Sequence, residues 1–382
     1  MEEGQASEMA WPLEGVRVID MTQNVAGPYC GMILAEMGAS VLKIEPPGGD
    51  PTRSWGPPFW EGYGPVFLAL NRNKDGIVID IKSEAGLAAL HEELRGADVV
   101  LVSTRPGVLE KYGLDYAALH ERYPSLVYGE VTAYGNYGPN KNDPGYDPLM
   151  QALGGIMSVT GRTGEEPVRV GTSIIDMGTG MWLAIGVIGA IQMRSRTGHG
   201  SHVLSSLFET AVGWMAYHAN SFWASGESPH GWGSGTSVIV PYEAFPTSDG
   251  GDWIVIGAGN DSLFLKLCVV LGHPEWGEDP LFRSNPLRVV NRSELVSRIR
   301  ATTSFWKSDE LSAVLVEAGI PTAPVANVAQ VLSNPQLLAG GLIQSIDHPD
   351  ISGFKSIGLP LVIDDQRPLL RTPPPGDNGA IP

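Results

Sequence analysis

Cysteine is scarce in this sequence of 382 residues. The only two cysteines, Cys30 and Cys268, lie far apart, and no CxxC pair is present. This content excludes a disulfide framework and favours a reducing compartment. The first ten residues are polar and acidic and lack the basic start and apolar run of a signal peptide. We therefore predict a soluble, cytoplasmic protein.

Basic residues are also few. The chain has 25 Lys and Arg against 42 Asp and Glu, which gives a formal net charge of −17. Such a chain repels nucleic acid and anionic membrane surfaces, so neither is expected as a partner. An anionic cofactor would need a local cluster of basic side chains or backbone N–H groups. The longest apolar run, 182–193, is too short to span a bilayer and predicts a buried helix.

Common catalytic and metal-binding motifs are missing. The sequence contains no HExxH, no GxSxG and no Walker loop. His199 and His202 are three residues apart, but they lie on a glycine-rich turn without a third ligand nearby. We expect no metal.

Apolar residues make up 43% of the chain, a globular composition, and the length suits two domains. In the first 131 residues, short apolar runs alternate with helical patterns. The runs predict strands at 16–20, 41–44, 77–81, 99–102 and 126–131. The helical patterns lie at 28–37, 84–95 and 116–122. This alternation predicts an α/β fold with a doubly wound, mostly parallel, Rossmann-like sheet.

The remaining sequence suggests a second domain. Residues 132–175 are rich in Asn, Pro and Gly and predict loops, and a long helix follows at about 178–194. We assign 1–223 to the large domain, 224–238 to a Gly/Ser-rich linker and 239–330 to a smaller α+β domain. The tail 331–382 is predicted to form a hairpin near 342–363 and to return to the large domain.

The first βαβ unit resembles a dinucleotide site but lacks its key feature. The turn after the first strand, 24–28, is not GxGxxG. It therefore lacks the glycines that let the backbone of such a turn lie close to a pyrophosphate. A nicotinamide or flavin enzyme is therefore disfavoured, and Gly27 and Pro28 break the strand and open the helix.

Asp176 is the strongest candidate for chemistry. It lies between an apolar pair and a long apolar helix, and Gly178 and Gly180 follow it. One interpretation is a helix N-cap, which favours Asp. The other is a nucleophile that the helix dipole and nearby N–H groups keep ionised, with the glycines leaving room for a substrate. The residues alone leave both open.

An ordered set of segments resembles the family III CoA-transferases, the group of the formyl-CoA and carnitine CoA-transferases. The segments lie at 13–20, 24–28, 38–45, 71–74, 105–107, 145–147, 176–180, 196–200 and 241–250. The resemblance covers nearly the whole chain. It implies that Asp176 attacks an acyl-CoA thioester, forms a mixed anhydride and then an enzyme–CoA thioester, and passes CoA to another carboxylic acid. It also implies an interlocked homodimer.

The resemblance further implies coenzyme A contacts. These are Val25, Ala26, Ile79, Asp80, Ile81, Lys82, Ser103, Thr104, Arg105, Lys111, Tyr146 and Asp147. The chain departs from the family pattern at Pro46 and Pro144, where basic residues are usual, and at Ser103, where Asn is common. Four bases are candidates for supplying the missing charge: Arg53, Arg72, Lys74 and Lys141.

Two further features bear on the substrate and on alternative functions. A stretch matching the glycine flap of the formyl-CoA enzyme, 230–236, contains the bulky Trp232, which favours a larger acyl group. The α-methylacyl-CoA racemases share the fold, but they use a His where Tyr146 stands, and Tyr is a poor base. A non-catalytic CoA-binding protein is the remaining alternative.

Overall fold

A computed structural model of the chain describes residues 11–250 and 252–376. The strands are β1 (Arg17–Asp20), β2 (Ser40–Glu45), β3 (Lys74–Val78), β4 (Val99–Val102), β5 (Val127–Thr132), β6 (His202–Ser206), β7 (Tyr242–Pro246), β8 (Trp253–Gly257), β9 (Thr322–Pro324), β10 (Ile343–Ser345) and β11 (Lys355–Ile357). The helices are α1 (Ala26–Glu36), α2 (Pro65–Leu70), α3 (Glu84–Arg95), α4 (Tyr116–Arg122), α5 (Asp147–Leu153), α6 (Ile156–Val159), α7 (Ile174–Thr197), α8 (Leu207–Trp214), α9 (Ala216–Ser225), α10 (Asp261–Val270), α11 (Glu275–Glu278), α12 (Asn285–Val290), α13 (Arg292–Thr303), α14 (Ser308–Glu317), α15 (Val328–Leu332) and α16 (Pro335–Ala339). Short 3₁₀ turns lie at Pro51–Ser54 and Leu109–Tyr112.

The main sheet has six parallel strands in the order β3-β2-β1-β4-β5-β6. The strand order reverses between β1 and β4, which is the topological switch point of a doubly wound sheet. Ligands of such sheets bind outside the carboxyl ends of the strands at this point. The α/β class and the parallel sheet predicted from the sequence are confirmed.

Both faces of the sheet are covered by helices, which explains why its central strand is a continuous apolar run. In β4, Val99 and Leu101 pack with residues of α1 and α7. The alternate residues, Val100 and Val102, pack with residues of α3 and α4. Every side chain of β4 is buried, so its pattern lacks the polar alternation of a half-exposed strand.

The described chain forms two compact units. The first comprises the residues up to Ile156, Val170–Asn220 and the residues from Pro335 on. The second comprises Met157–Arg169 and Ser221–Asn334. Residues 157–169, which the sequence analysis placed in the large domain, thus belong to the second unit. A hairpin of β10 and β11 lies in the first unit, as predicted for the tail.

The second unit has a three-stranded antiparallel sheet, in the order β7-β8-β9, packed against helices. Its flap-like stretch 230–236 is bonded to 161–163. The backbone N–H of Gly233 donates to the carbonyl of Gly161 at 2.7 Å, and the Thr163 hydroxyl donates to the carbonyl of Gly231 at 3.0 Å.

One predicted strand is displaced and one helix was not predicted, and both differences have physical reasons. Strand β3 begins at Lys74 rather than Ile77, because the buried Lys74 ammonium has carboxylate and carbonyl partners that allow a charged residue inside the sheet. Helix α5 lies within the predicted loop region 132–175. Its start at a Tyr-Asp-Pro sequence follows the preference for Pro in the first helical turn.

Helix α7 is 24 residues long and apolar enough to cross a membrane by length and composition alone. Leu183, Val187 and other residues of one face lie in the core of the first unit. On the opposite side Met181, Trp182 and Ile185 are about half exposed. The prediction of a buried helix is therefore correct for one face and wrong for the other.

Candidate active site

A cleft of about 570 Å³ opens at the carboxyl ends of β1, β4 and β5. Its lining comprises Met21, Gln23, Asn24, Val25, Ala26, Gly27, Ile44, Pro46, Trp55, Ile79, Ile81, Ser103, Thr104, Arg105, Pro106, Val108, Leu109, Val131, Thr132, Ala133, Lys141, Asp143, Pro144, Gly145, Tyr146, Asp176 and Leu207. All of these residues belong to the first unit. The sheet topology therefore gathers residues from the five segments that follow β1, β2, β3, β4 and β5 beside one candidate nucleophile.

Asp176 is the third residue of α7, and Ser173 is the N-cap. The N-cap interpretation of Asp176 is wrong. Burial raises the pKa of the Asp176 carboxyl to about 7, and the negative charge of Asp147 adds to this effect. The sequence analysis expected N–H groups at the helix start to help keep this carboxylate ionised, but the N–H groups of Ile175 and Asp176 bond to another side chain.

That side chain is Asp147, at the start of α5. Its Oδ2 accepts hydrogen bonds from the backbone N–H groups of Ile175, at 2.8 Å, and Asp176, at 3.3 Å. A carboxylate from a different helix thus satisfies N–H groups that every helix leaves free at its start. The Ser173 side chain makes no such bond.

Gly178 and Gly180 pack helices together instead of facing a substrate. A Cβ on Gly180 would lie 2.4 Å from the carbonyl oxygen of Ala26 in α1. A Cβ on Gly178 would lie 3.0 Å from atoms of Thr210 and Trp214. Gly180 lets α7 approach α1 closely, and Gly178 lets it approach α8. The contact with α1 fixes Asp176 near the turn at the start of that helix.

The β1–α1 turn is anchored by two wholly buried lysines. The Lys43 ammonium donates to the carbonyl of Thr22 and to Asp50, both at 2.9 Å. The Lys74 ammonium donates to the carbonyl of Pro28 at 2.8 Å and to Asp20 at 2.9 Å.

Between these two anchors the turn crosses the floor of the cleft. Asn24 has a φ of 67°, a conformation that Asn adopts more readily than most residues. The Val25 N-cap of α1 makes no side-chain bond, so the first N–H groups of α1 lie at the cleft without a side-chain cap.

Four bases were candidates for supplying positive charge, and the structure separates them. Arg53 pairs with Glu45 at 2.7 Å, Arg72 pairs with Glu36, and Lys74 is buried against Asp20. Lys141 lines the cleft together with Arg105. Within residues 11–250 and 252–376, neither of these two forms an ion pair, so both can meet an anionic ligand.

Comparison with known proteins decides the family. The family model for CoA-transferase family III matches residues 13–379. The chain belongs to CoA-transferase family III.

Relatives that are 33–36% identical to this chain are named CoA-transferases. The succinyl-CoA:glutarate CoA-transferase of Mus musculus is 36% identical over 95% of this chain and 83% of its own length. The succinate–glutarate CoA-transferase of Agrobacterium fabrum is 33% identical over 94% and 90%. A crystal structure of a CAIB/BAIF family protein from Brucella suis superposes with a TM-score of 0.88 at 37% identity, covering 96% of this chain and 97% of that one. The chain is thus a CoA-transferase, and CoA thioesters are the substrates of that class.

The structure divides the CoA contacts that the family resemblance predicted. Nine predicted residues, the candidate nucleophile included, line the cleft: Val25, Ala26, Ile79, Ile81, Ser103, Thr104, Arg105, Tyr146 and Asp176. Asp80, Lys82, Lys111 and Asp147 are outside this lining. Lys82 and Lys111 are exposed, whereas Asp147 is buried and bonded to α7. Their role as CoA contacts stays a prediction.

Several lining residues of this CoA-transferase were missed from the sequence. Met21, Gln23, Val131, Thr132 and Ala133 directly follow or end β1 and β5. The carboxyl ends of strands at the switch point are expected to line a ligand site, so this positional signal was available. Trp55 and Leu207 come from more distant segments and have no comparable signal.

Proposed function

We propose that this enzyme moves CoA from an acyl-CoA donor to a carboxylic acid through covalent intermediates on Asp176. The observation that supports this most directly is the location of Asp176. Its half-buried carboxyl lies in one cleft with eight of the predicted CoA contacts. A poorly solvated carboxylate is a competent nucleophile toward a thioester carbonyl.

Four displacements complete the proposed transfer. A carboxylate oxygen of Asp176 attacks the acyl carbonyl, and the C–S bond breaks to give a mixed anhydride and CoA thiolate. The thiolate attacks the aspartyl carbonyl and expels the first acid as its carboxylate, leaving an aspartyl–CoA thioester. The acceptor carboxylate attacks this thioester, and the released thiolate takes the acyl group from the second anhydride. Asp176 returns as a carboxylate, and no net proton is consumed.

The acyl groups are proposed to be those of dicarboxylic acids. Relatives of this chain carry names that specify succinyl-CoA with glutarate, and one specifies succinyl-CoA with D-citramalate. Arg105 and Lys141 could bind either a distal carboxylate or the CoA phosphates.

A donor–acceptor panel tests the proposed activity. The purified full chain is incubated with succinyl-CoA and a series of carboxylic acids, and the acyl-CoA products are identified by mass spectrometry. We expect new acyl-CoA to form with glutarate or another dicarboxylate. Exchange of α-hydrogens in deuterated water without transfer would instead support a racemase, and acyl-CoA binding without either reaction would indicate a non-catalytic protein.

Replacement of Lys141 by Ala should raise the KM for acyl-CoA by about tenfold, because a charge-assisted contact to a phosphate is lost. Steady-state kinetics with an acyl-CoA and with the matching acyl-pantetheine thioester locate the contact. If Lys141 binds the phosphates, the effect disappears with the pantetheine thioester. If it binds the distal carboxylate, the effect persists with that thioester.

The matched control is Lys355→Ala, since Lys355 is exposed on β11 and outside the cleft lining. The control should leave both KM values unchanged. An unchanged KM in the Lys141 variant with both thioesters contradicts any role of this base in binding.

A further inference from the structure

Asp147 is almost completely buried, with 2% of its surface exposed, yet it lies next to the nucleophile in the fold. Its Oδ2 accepts from the N–H groups of Ile175 and Asp176. Its Oδ1 accepts from Nε2 of Gln151 at 2.6 Å. Three N–H donors and no acceptor surround the side chain in the described chain, which is the pattern that an ionised carboxylate requires.

The partner of Asp147 is itself fixed. Gln151 is wholly buried, and its Oε1 accepts from the backbone N–H of Val170 at 2.8 Å. This bond determines the orientation of the amide, so that Nε2 faces Asp147. The chain of contacts therefore connects α5, the segment before α7 and the first turn of α7.

The geometry has a mechanical consequence for Asp176. The carboxylate of Asp147 bonds to the backbone N–H of the nucleophile itself and of the residue before it. Charge-assisted bonds of this kind are stronger than bonds between neutral groups. The Cα of Asp176 is therefore held from one side by Asp147 and from the other by the close packing of Gly180 against α1.

The same geometry has an electrostatic consequence. Asp147 adds a buried negative charge next to Asp176. Among the described residues, the other charged side chains that line the cleft are Arg105, Lys141 and Asp143. Burial raises the pKa of Asp176, and the Asp147 charge raises it further, to about 7. An ordinary carboxylic acid has a pKa of about 4.3.

This difference bears on how the mixed anhydride breaks down. When CoA thiolate attacks the aspartyl carbonyl, the substrate carboxylate leaves. When it attacks the acyl carbonyl, the Asp176 carboxylate leaves and the donor is regenerated. The conjugate base of the stronger acid departs more readily, as is known for thiol leaving groups. A more basic Asp176 therefore favours formation of the aspartyl–CoA thioester from the first anhydride. The same basicity slows the last displacement, in which the Asp176 carboxylate must leave.

We propose that Asp147 is a positioning residue for the transfer reaction, which holds the backbone of Asp176 and through its charge makes that carboxylate a stronger nucleophile and a poorer leaving group. The inference rests on the proposed role of Asp176 as the nucleophile. It gives Asp147 a role other than the CoA contact that the sequence suggested.

The test is Asp147→Asn. Asn retains one oxygen for the N–H groups of Ile175 and Asp176 but removes the charge. In the wild type, kcat/KM for the donor acyl-CoA should fall as the pH decreases through about 7, because Asp176 must be ionised to attack the thioester. In the variant this acidic limb should move to lower pH by roughly half a unit or more. The plateau near pH 8 should fall roughly three- to tenfold, because the nucleophile is less basic.

Asp75→Asn is the matched control, since Asp75 is exposed on β3 and outside the cleft lining. It should leave the pH profile unchanged. Thermal melting verifies that each variant is folded. If Asp147→Asn does not fold, Asp147→Glu is measured. This variant retains the charge and should keep its acidic limb near that of the wild type despite a lower rate.

The inference is overturned if the acidic limb of a folded Asp147→Asn variant does not move to lower pH. It is also overturned if the acidic limb of Asp147→Glu does move to lower pH. Asp176→Asn separates this outcome from a failure of the proposed function. If Asp176→Asn retains transfer activity, the nucleophile assignment is wrong. If it is inactive and Asp147→Asn has the wild-type profile, only the inference about Asp147 fails.

Discussion

Asp176→Asn should lose transfer activity by roughly three orders of magnitude or more, because the proposed transfer requires the Asp176 carboxylate as the attacking group. Its affinity for acyl-CoA should change little, since the cleft lining around it is retained. Transfer is measured by mass spectrometry of the acyl-CoA products, and binding is measured by calorimetry with a donor acyl-CoA. Asp176→Ala, which cannot revert by deamidation, should behave in the same way.

Covalent trapping provides a second measurement of the same prediction. Hydroxylamine added during turnover should convert Asp176 of the wild type into a hydroxamate, identified in the peptide that carries it. Neither variant should give this product, and Asp75→Asn should give it at the wild-type level. Substantial transfer by Asp176→Ala would falsify the mechanism.

Lys74→Met should destabilise the protein by roughly 3–5 kcal/mol, because it leaves the Asp20 carboxylate buried without its charged partner. Both side chains are wholly buried and their charged atoms lie 2.9 Å apart. The substitution also removes the donor to the carbonyl of Pro28. The free energy of unfolding is measured by denaturant titration of the full chain.

The double variant Lys74→Met with Asp20→Leu should recover a large part of the lost stability, because a buried pair replaced by apolar side chains leaves no unpaired charge. Recovery should be incomplete, since Asp20 also accepts from the N–H of Thr22 at 3.0 Å. The control is Arg95→Met, whose pair with Glu92 is exposed and worth at most about 1 kcal/mol. Equal effects of Lys74→Met and Arg95→Met contradict the prediction.

The double variant also tests whether the anchor at Pro28 contributes to acyl-CoA binding. The turn 22–28 loses an anchor at Pro28 even where stability is restored. The KM for acyl-CoA should therefore remain raised in a variant that is folded.

The elements that could be predicted from sequence are those whose signal is local. Helices α3 and α4 and strand β4 have the predicted bounds, because each has a continuous apolar or amphipathic pattern between clear ends. The predicted bounds of strand β3 were wrong, because nothing in the sequence around Lys74 indicates that Asp20, 54 residues earlier, neutralises its charge. Apolar patterns locate buried strands only where the buried residues are apolar.

Asp176 could be selected from the sequence as the candidate nucleophile, but its environment could not be predicted. Ser173, not Asp176, caps α7, and the cap bond comes from Asp147, 28 residues earlier than Ile175. Gly178 and Gly180 suggested space for a substrate, yet both pack against neighbouring helices. Such contacts depend on which segments the fold brings together, and no local pattern encodes them.

The contact between α7 and α1 at Gly180 has a consequence for the divergence of this family. The groups that hold Asp176 lie beneath the cleft, whereas Arg105, Lys141 and Tyr146 lie on loops at its surface. Loop residues can change during evolution without disturbing the packing that holds Asp176. Relatives that carry names of transferases for glutarate, citramalate, oxalate and mesaconate have 32–36% identity to this chain. In this chain, substitutions at these loop positions can therefore change which acid is bound without moving Asp176.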